Sequence, residues 1–422
     1  MVLFSYHGII RNRGLLLDFA NFYDAGRKAA LSQFNTLYDP FALIGGSAPF
    51  GNMSFVSAPI SSFAYIPLSG LEPVLAARIF KIIATVCLFG ALILLFFHLS
   101  KRFCQKEERV KFFAIFSVCS LFYMPFWQIY WIGGQTTPMV LLLLLIALVL
   151  YGKGQAILPA VALVLAVTIK PFLVPGLVLL LILAEARLRL ALVVIGCIAA
   201  TISVLVVGTE PHIAFVHKIL SESGQLQAPQ LNSNMLSWIE PLFLSIADYE
   251  ALKSMPPGLK LMTIALRLLL VGVLIALYVR LRRTSVPDMA KRHFLVIVAI
   301  FTALIVTPVA WAHYLSFLFI VPMFVFANGA HFPKGAKISA AAVIAISVFQ
   351  HPFLLKKITM LFDAGAGGYL GIGNWNLLML MSTVRSVPMI LAFCLVAIWF
   401  TSFIHGYQQM QVDRVRQPNS PE

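Results

Sequence analysis

Long apolar runs separated by short polar segments dominate the chain from about residue 72 onward. A helix of about 20 apolar residues spans the hydrocarbon core of a bilayer and satisfies its own backbone there. We predict spanning helices in eleven runs, several of them shorter than this length: 72–98, 112–127, 136–151, 156–169, 171–184, 190–207, 261–281, 293–307, 314–328, 338–353 and 383–403. The pattern predicts an all-α, polytopic membrane protein, a helical bundle with about eleven spans and amphipathic helices at its outer face.

Two of the predicted spans meet at Lys170 and Pro171, so that 156–184 could also be a single broken or re-entrant helix. Basic residues concentrate in the cytoplasmic loops of membrane proteins. With two spans here, most basic loop residues fall on one face, whereas a single span would separate Arg187 from the basic cluster at 280–292. The charge pattern therefore favours two helices.

The same charge pattern predicts the orientation of the chain. The basic face is cytoplasmic by the positive-inside rule and includes the C-terminal tail 404–422. The segment 1–71 and the loops 208–260 and 354–382 then face the outside or periplasm of a bacterial inner membrane. No internal repeat is found, which predicts a single domain over 1–422.

Composition supports a membrane protein, because 60% of the residues are hydrophobic and the mean hydropathy is +0.91. The net charge of +15 sits in short loops beside apolar runs and not on one soluble surface. Membrane lipids with anionic headgroups are therefore expected as partners, and nucleic acid is not. The five cysteines have no CxxC or metal-type spacing, so we predict neither a disulfide nor a zinc site.

Asp18 is one of only 16 acidic residues and precedes an amphipathic stretch. Polar residues recur on one side at helical spacing, and apolar or small residues recur on the other: Asn21, Asp24, Lys28 and Ser32, against Phe19, Phe22, Tyr23, Gly26 and Ala30. This predicts a short helix on the membrane surface. Asp18 is then equally well explained as the N-cap of this helix and as a catalytic carboxylate, and it can be both. Asp24 is predicted to be a solvated residue, and Asp39 to lie in a turn.

Lys170 and His313 are candidate contacts for an anion. An ammonium within an apolar run is costly unless it is paired or reaches the interface, so a phosphate partner is the first interpretation of Lys170 and a snorkelling lysine the alternative. His313 lies beside Trp311 and Tyr314. It belongs either to an interfacial aromatic belt or to a site where it donates to a phosphate or sugar oxygen.

Two further polar segments are candidate ligand contacts. Gln135 follows Gly133 and Gly134, which would let the backbone approach a ligand closely, although a plain turn between helices would use the same residues. Asn232 and Ser233 could hydrogen-bond a sugar or cap the next helix.

Five segments in this order carry a resemblance: DFANFYDAGRKAALSQFNTLYDP, GGQTTPMVLLLLL, LAVTIKPFLVPGLVLLL, NSNMLSW and TPVAWAHYLSFLFIVP. Together they resemble glycosyltransferase family 87, from about Leu15 to about Pro322. That family is similar to polyprenyl-phosphate-mannose-dependent mannosyltransferases. The resemblance implies a GT-C fold, a helical bundle whose active site lies at the outer membrane face.

The resemblance also implies a reaction, the transfer of a hexose from a polyprenyl-phosphate sugar to a hydroxyl of a glycolipid or glycan acceptor. Asp18 is the expected general base of one inverting displacement, and Lys170 and His313 the expected partners of the departing phosphate. The other residues expected to contact the donor are Gln135, Tyr23, Asn232, Ser233 and Arg27, with Arg27 or Arg78 as alternative phosphate cations. No DxD or acidic cluster is present, so we expect no cofactor and metal-independent transfer.

The chain departs from the family pattern in three places. Only 17 residues precede Asp18 where the family has a spanning helix, so a truncation or a misplaced start is expected. Ala312 stands beside His313 where the mannosyltransferases often carry an acid, and Ser57-Ala58-Pro59 stands where Tyr-Pro-Pro is common. These differences leave the sugar and the acceptor open. The alternative functions are a transporter or flippase of lipid-linked sugars, disfavoured by the absence of repeats, and a polymer ligase, disfavoured by the absence of arginine from 208–260.

Overall fold

The computed structural model describes residues 17–39, 55–104, 106–126, 134–222, 234–236, 239–244, 255–307, 310, 312–328, 332–347 and 386–398. The α-helices, in chain order, are α1 Leu17–Ala30, α2 Ile66–Ser69, α3 Pro73–Phe103, α4 Arg109–Phe122, α5 Thr137–Gly152, α6 Ile157–Ile169, α7 Val174–Leu183, α8 Ala186–Val207, α9 Glu210–Glu222, α10 Glu240–Phe243, α11 Pro257–Arg282, α12 Asp288–Val306, α13 Ile320–Ala327, α14 Lys334–Ile346 and α15 Ser386–Ile398. Short 3-10 helices lie at Phe34–Thr36, Pro59–Tyr65, Lys106–Glu108, Pro171–Leu173 and Ala312–Phe319. No strand occurs within these ranges, and the all-α prediction is confirmed.

Each of the eleven predicted runs coincides with a helix where its residues are described. Among the described residues, four helices are long and apolar enough to cross a membrane: α3, α8, α11 and α12. The shorter apolar helical segments are Thr137–Gly152, Ile157–Ile169, Pro171–Leu183, His313–Ala327 and Ser386–Ile398. The chain is therefore an all-α polytopic membrane protein, and the total of eleven spans stays a prediction.

The helix break at Lys170 has a local cause. Proline lacks an N–H donor and disfavours the helical conformation of the residue before it. Helix α6 accordingly ends at Ile169, and Lys170 is extended with φ −132° and ψ 91°. The chain continues as the 3-10 turn Pro171–Leu173 and then as α7. The predicted separation into two helices is confirmed, and the prediction that each of them crosses the membrane stays open.

The chain divides into two compact units. The first comprises 1–94, 125–150 and 155–226, and the second comprises 95–124, 151–154 and 227–422. The first unit therefore contains α1, α2, most of α3 and α5, and α6 to α9. The second contains the ends of α3 and α5, together with α4 and α10 to α15.

In the first unit α1 packs on the 3-10 turn 59–65, on α2 and on the start of α3. Phe22 stacks on Tyr65 with ring centroids 4.9 Å apart, and Phe19 lies 4.9 Å from Phe80. Each such aromatic pair adds about 0.5–1.5 kcal/mol beyond the burial of its area. Phe19, Phe22, Tyr23 and Gly26 of the predicted apolar side are thus packed on protein, whereas Ala30, which was also assigned to that side, is exposed.

A close backbone approach fixes this packing at Gly26. A Cβ atom at Gly26 would lie 2.6 Å from the carbonyl carbon and oxygen of Tyr65. No heavy atoms of a side chain fit there without displacing backbone. Glycine is therefore required where α1 crosses the 3-10 turn 59–65.

The start of α3 is capped by the preceding residue. The backbone N–H of Leu75 donates to a carboxylate oxygen of Glu72 at 2.9 Å. Hydrogen bonds from the backbone N–H groups of Val74 and Leu75 lower the pKa of the Glu72 carboxyl. The ionised carboxylate therefore satisfies donors that the first turn of the helix leaves without an intrahelical acceptor.

The second unit is organised around α12, which is buried along nearly its whole length. The side-chain amide of Asn234 donates to the carbonyls of Leu304, at 3.1 Å, and Thr307, at 2.6 Å, at the end of this helix. Near its start, the Nε2 atoms of His98 and His293 lie 3.2 Å apart, which joins α3 to α12. Buried polar side chains thus tie both ends of α12 to other segments of this unit.

Candidate functional site

Asp18 lies in the first turn of α1, one residue after Leu17, where the helix begins. The structure describes its backbone position only. An N-cap residue directly precedes the first helical residue. Asp18 follows Leu17, the first residue of α1, so it lies within the first turn and not at the N-cap position. A carboxylate in a first turn is favoured by the positive end of the helix dipole. The catalytic interpretation of Asp18 stays a prediction.

The turn before α5 lies directly against the residue that follows Asp18. Gly134 has φ +87°, and a Cβ atom there would come 3.0 Å from the backbone nitrogen and 3.1 Å from the Cα of Phe19. The glycine thus permits the close approach that its sequence position suggested, but the neighbour is Phe19 of the same unit. Gly133 lies outside the described residues.

Lys170 and Gln135 are joined in the first unit. The ammonium Nζ of Lys170 donates to the side-chain oxygen of Gln135 at 3.3 Å. Both side chains are buried, with 8% of Lys170 and 7% of Gln135 exposed. Because Gln135 follows Gly134, which contacts Phe19, the structure brings the backbone of Asp18 and the side chains of Gln135 and Lys170 into one region.

The end of α6 beside Lys170 is held by the segment that departs from the family pattern. The hydroxyl of Ser57 donates to the carbonyl of Ile169 at 2.7 Å, and the backbone N–H of Ala58 donates to the carbonyl of Thr168 at 3.0 Å. Carbonyls at a helix end have no intrahelical donor, so they need such partners. Residues 57–58 therefore fix the backbone conformation that presents Lys170.

Tyr38 supports that segment in turn. Its hydroxyl donates to the carbonyl of Ser57 at 2.8 Å. Burial raises the pKa of the Tyr38 hydroxyl, which therefore stays protonated and able to donate. Asp39, the next residue, lies in the predicted turn, with its backbone N–H donating to the carbonyl of Thr36 at 3.1 Å.

Three buried polar atoms of the first unit have no hydrogen-bond partner among the described residues. They are the side-chain oxygens of Asn21, Thr136 and Thr137. Thr136 and Thr137 directly follow Gln135, and Asn21 lies two residues after Phe19. Most buried polar groups in proteins are hydrogen-bonded, so these three atoms are candidate contacts for a polar ligand.

The remaining predicted residues on α1 are engaged in other ways. The hydroxyl of Tyr23 donates to the carbonyl of Leu71 at 2.8 Å, so this side chain helps to hold α1 in place. Arg27 is exposed. Asp24 pairs with Lys28 at 2.9 Å, one turn along the helix, and is only partly exposed.

Sequence reasoning missed Lys81. This lysine lies in α3 with 4% of its surface exposed, whereas Arg78, the cation considered from the sequence, is exposed. The available signal was the same one that singled out Lys170, a lysine inside a long apolar run. Sequence reasoning also missed Asn21, which was assigned to the polar face of α1 but is buried.

The other predicted residues belong to the second unit. His313 is buried there, with its ring 4.6 Å from that of Tyr314 in an edge-to-face arrangement. Asn232 and Ser233 lie outside the described residues. Their neighbour Asn234 caps the end of α12, which is a structural role that the sequence did not predict.

The sequence model of glycosyltransferase family 87 matches residues 55–308, more than half of the 422 residues. The chain belongs to glycosyltransferase family 87. This family 87 protein is therefore a membrane glycosyltransferase, which moves a sugar from a donor to an acceptor. No curated protein and no solved structure matches the chain.

The matched part of this family 87 enzyme contains only some of the candidate residues. Gln135, Lys170, Asn232 and Ser233 lie within it, and four candidates lie outside it: Asp18, Tyr23, Arg27 and His313. Within the described residues, no group of three or more His, Cys, Asp and Glu side chains could hold a metal ion. Metal-independent transfer stays a prediction.

Proposed function

We propose that this enzyme transfers a hexose, mannose or a similar sugar, from a polyprenyl-phosphate sugar to a hydroxyl of a glycolipid or glycan. The reaction would occur at the outer face of a bacterial inner membrane, in agreement with the distribution of basic loops. The observation that carries the proposal is the buried Lys170 ammonium held by Gln135, in the region that includes the backbone of Asp18. The proposed reaction needs a base for the acceptor hydroxyl and a cation for the departing phosphate. Asp18 and Lys170 are of the residue types that can supply them.

The proposed step is a single displacement at the anomeric carbon. The acceptor oxygen forms a bond to this carbon while the bond to the phosphate oxygen breaks, so the configuration inverts. Asp18 accepts the proton of the acceptor hydroxyl. The donor is a phosphodiester with one negative charge, and the departing polyprenyl phosphate carries one charge more. A fixed ammonium such as that of Lys170 stabilises this developing charge because it is oriented before the reaction.

The other candidate residues enter the proposal with smaller roles. Tyr23 donates a hydrogen bond to the carbonyl of Leu71 and so holds α1 in place. We assign it a positioning role and no direct part in the transfer. Arg27 is exposed, so we assign it to lipid or donor headgroups at the surface. His313, Asn232 and Ser233 remain predicted donor contacts that variants of each residue would test.

A transfer assay would test the proposal. Membranes containing the protein, the Asp18→Asn variant or the Asp24→Asn variant receive radiolabelled polyprenyl-phosphate hexoses, and labelled acceptor is measured. Asp24 lies on the same helix in a local ion pair with Lys28, so its variant controls for a changed charge on α1. We expect transfer by the wild type and by Asp24→Asn and its loss in Asp18→Asn. Equal transfer by all three would refute the role of Asp18, and uptake of donor without transfer would favour a transporter.

A further inference from the structure

The first turn of α5 combines features that suit an anion. The helix is 16 residues long and begins at Thr137, so the positive end of its dipole lies at Gln135 to Thr137. Helix N-termini with nearby polar groups commonly bind phosphate. Every helix has a positive N-terminal end, so the side chains around this one decide whether it is an anion-binding site.

Two hydroxyls at this N-terminus are buried without a partner. Thr136 is 1% exposed and Thr137 is 0% exposed, and neither hydroxyl oxygen hydrogen-bonds any described residue. Thr85, within α3, differs from them, because its hydroxyl donates to the carbonyl of Lys81 at 2.7 Å, one turn earlier. At the start of a helix no earlier turn exists to supply such a carbonyl. The two hydroxyls therefore suit hydrogen bonds to a ligand.

A positive charge adjoins the same turn. The Lys170 ammonium lies 3.3 Å from the side-chain oxygen of Gln135, the residue directly before Thr136. An ammonium acts on phosphate as a point charge, and hydroxyls donate to phosphate oxygens. The helix end, the ammonium and the two hydroxyls together provide hydrogen-bond donors and positive charge.

We propose that the turn Gln135–Thr136–Thr137 binds the phosphate of the lipid-linked donor and of the polyprenyl phosphate product, with Thr136 and Thr137 donating their hydroxyls to phosphate oxygens. This inference rests on the proposed function, because it assigns the phosphate subsite of the same reaction. The product monoester carries more negative charge than the donor diester, so the site binds the product more tightly. The two threonines are binding residues, and the proton transfer stays with Asp18.

Valine variants of the purified full-length protein would test the site, because valine keeps the shape of threonine and lacks its hydroxyl. Binding of polyprenyl monophosphate, polyprenol and inorganic phosphate to Thr136→Val and Thr137→Val is measured in detergent, together with thermal unfolding. We expect each variant to bind polyprenyl monophosphate roughly 10-fold more weakly, as for the loss of one hydrogen bond to a charged group. Polyprenol binding should not change. Without ligand, the thermal midpoint should stay equal or rise, because a buried hydroxyl without a partner has been removed.

Thr85→Val is the matched control, since its buried hydroxyl is already paired within α3. We expect this variant to lower the thermal midpoint and to leave the affinity for polyprenyl monophosphate unchanged. Thr136→Ser and Thr137→Ser retain a hydroxyl and should bind like the wild type, even if a valine variant fails to fold. Competition by inorganic phosphate would show that the phosphate group alone suffices, whereas binding of the lipid form alone would show that the chain contributes too.

Several results would overturn the site. These are an unchanged affinity for polyprenyl monophosphate in both valine variants, weak binding by the serine variants, and wild-type binding of polyprenol as tight as that of polyprenyl monophosphate. The test is independent of the transfer assay. If no donor supports transfer while phosphate binding still depends on the threonines, the proposed reaction fails and the phosphate site stands.

Discussion

The Lys170 ammonium donates to the side-chain oxygen of Gln135 at 3.3 Å, although the two residues are 35 positions apart in the chain. The contact joins the break between α6 and α7 to the turn that precedes α5. Through Gly134 the same turn contacts Phe19, the neighbour of Asp18. One buried hydrogen bond thus links the main predicted phosphate cation to the segment with the predicted base.

We predict that Lys170→Met abolishes most transfer without unfolding the protein. Methionine keeps the length of the side chain and removes its charge, so the departing phosphate loses a fixed cation. Loss of one oriented donor to a developing charge commonly lowers the rate about 100- to 1000-fold. The measurement is the transfer rate at saturating donor, with Lys28→Met as the control because Lys28 forms a local ion pair with Asp24. Full activity of Lys170→Met would contradict the assigned role.

Gly134→Ala is expected to lower activity more than Gly208→Ala. Both glycines have positive φ, +87° and +90°, so both variants carry backbone strain. Only the new Cβ at position 134 would meet Phe19, whereas nothing lies within 4 Å of the new Cβ at position 208. The additional loss of transfer in Gly134→Ala measures the importance of this contact for placing Asp18. Equal losses in the two variants would mean that the contact is irrelevant to catalysis.

Gly26→Ala should destabilise the docking of α1. Its Cβ would overlap the backbone of Tyr65, and such overpacking costs about 1–3 kcal/mol. Thermal unfolding in detergent, together with proteolysis of α1, would detect the change. Gly70→Ala is the control, because its Cβ would meet nothing within 4 Å. A midpoint of Gly26→Ala equal to that of Gly70→Ala would contradict the packing described.

The capping carboxylate of Glu72 should make stability depend on pH. Its pKa is lowered in the folded protein, so its contribution is fully present above the ordinary value of 4.5 and is lost as the pH falls through the lowered value. The wild type should therefore exceed Glu72→Gln in thermal midpoint at neutral pH, and the difference should shrink in acid. Glu108→Gln is the control at neutral pH, because Glu108 precedes a helix without a side-chain capping bond, and it should lower the thermal midpoint less than Glu72→Gln does. If the difference in thermal midpoint between the wild type and Glu72→Gln grew as the pH fell, the capping role of Glu72 would be contradicted.

Features that depend on neighbouring residues in the chain could be predicted from the sequence. The apolar runs marked the helices, and Pro171 marked the break at Lys170, because proline acts on the residue directly before it. The apolar side of α1 was correct for Phe19, Phe22 and Tyr23, since helical spacing alone sets which residues share a side.

Features that depend on distant parts of the chain could not be predicted. Gly134 was recognised as a position of close approach, but its partner Phe19 could not be read from the turn itself. Asn21 has the spacing of a solvated face and is buried, because the environment of a helix face is set by what packs on it. In the motif NSNMLSW the residue that caps α12 is Asn234, and its acceptors lie some 70 positions away.

The hydrogen bond from Ser57 to Ile169 has a consequence for biogenesis, because the two residues are 112 positions apart. The donor emerges from the ribosome well before its acceptor is synthesised. Where the end of α6 is shielded from water, its carbonyls need hydrogen-bond donors from the protein itself. We therefore expect the break at Lys170 to reach its final conformation only after residues 57–58 have returned to it, so that this part of the fold is completed after α6 has been synthesised.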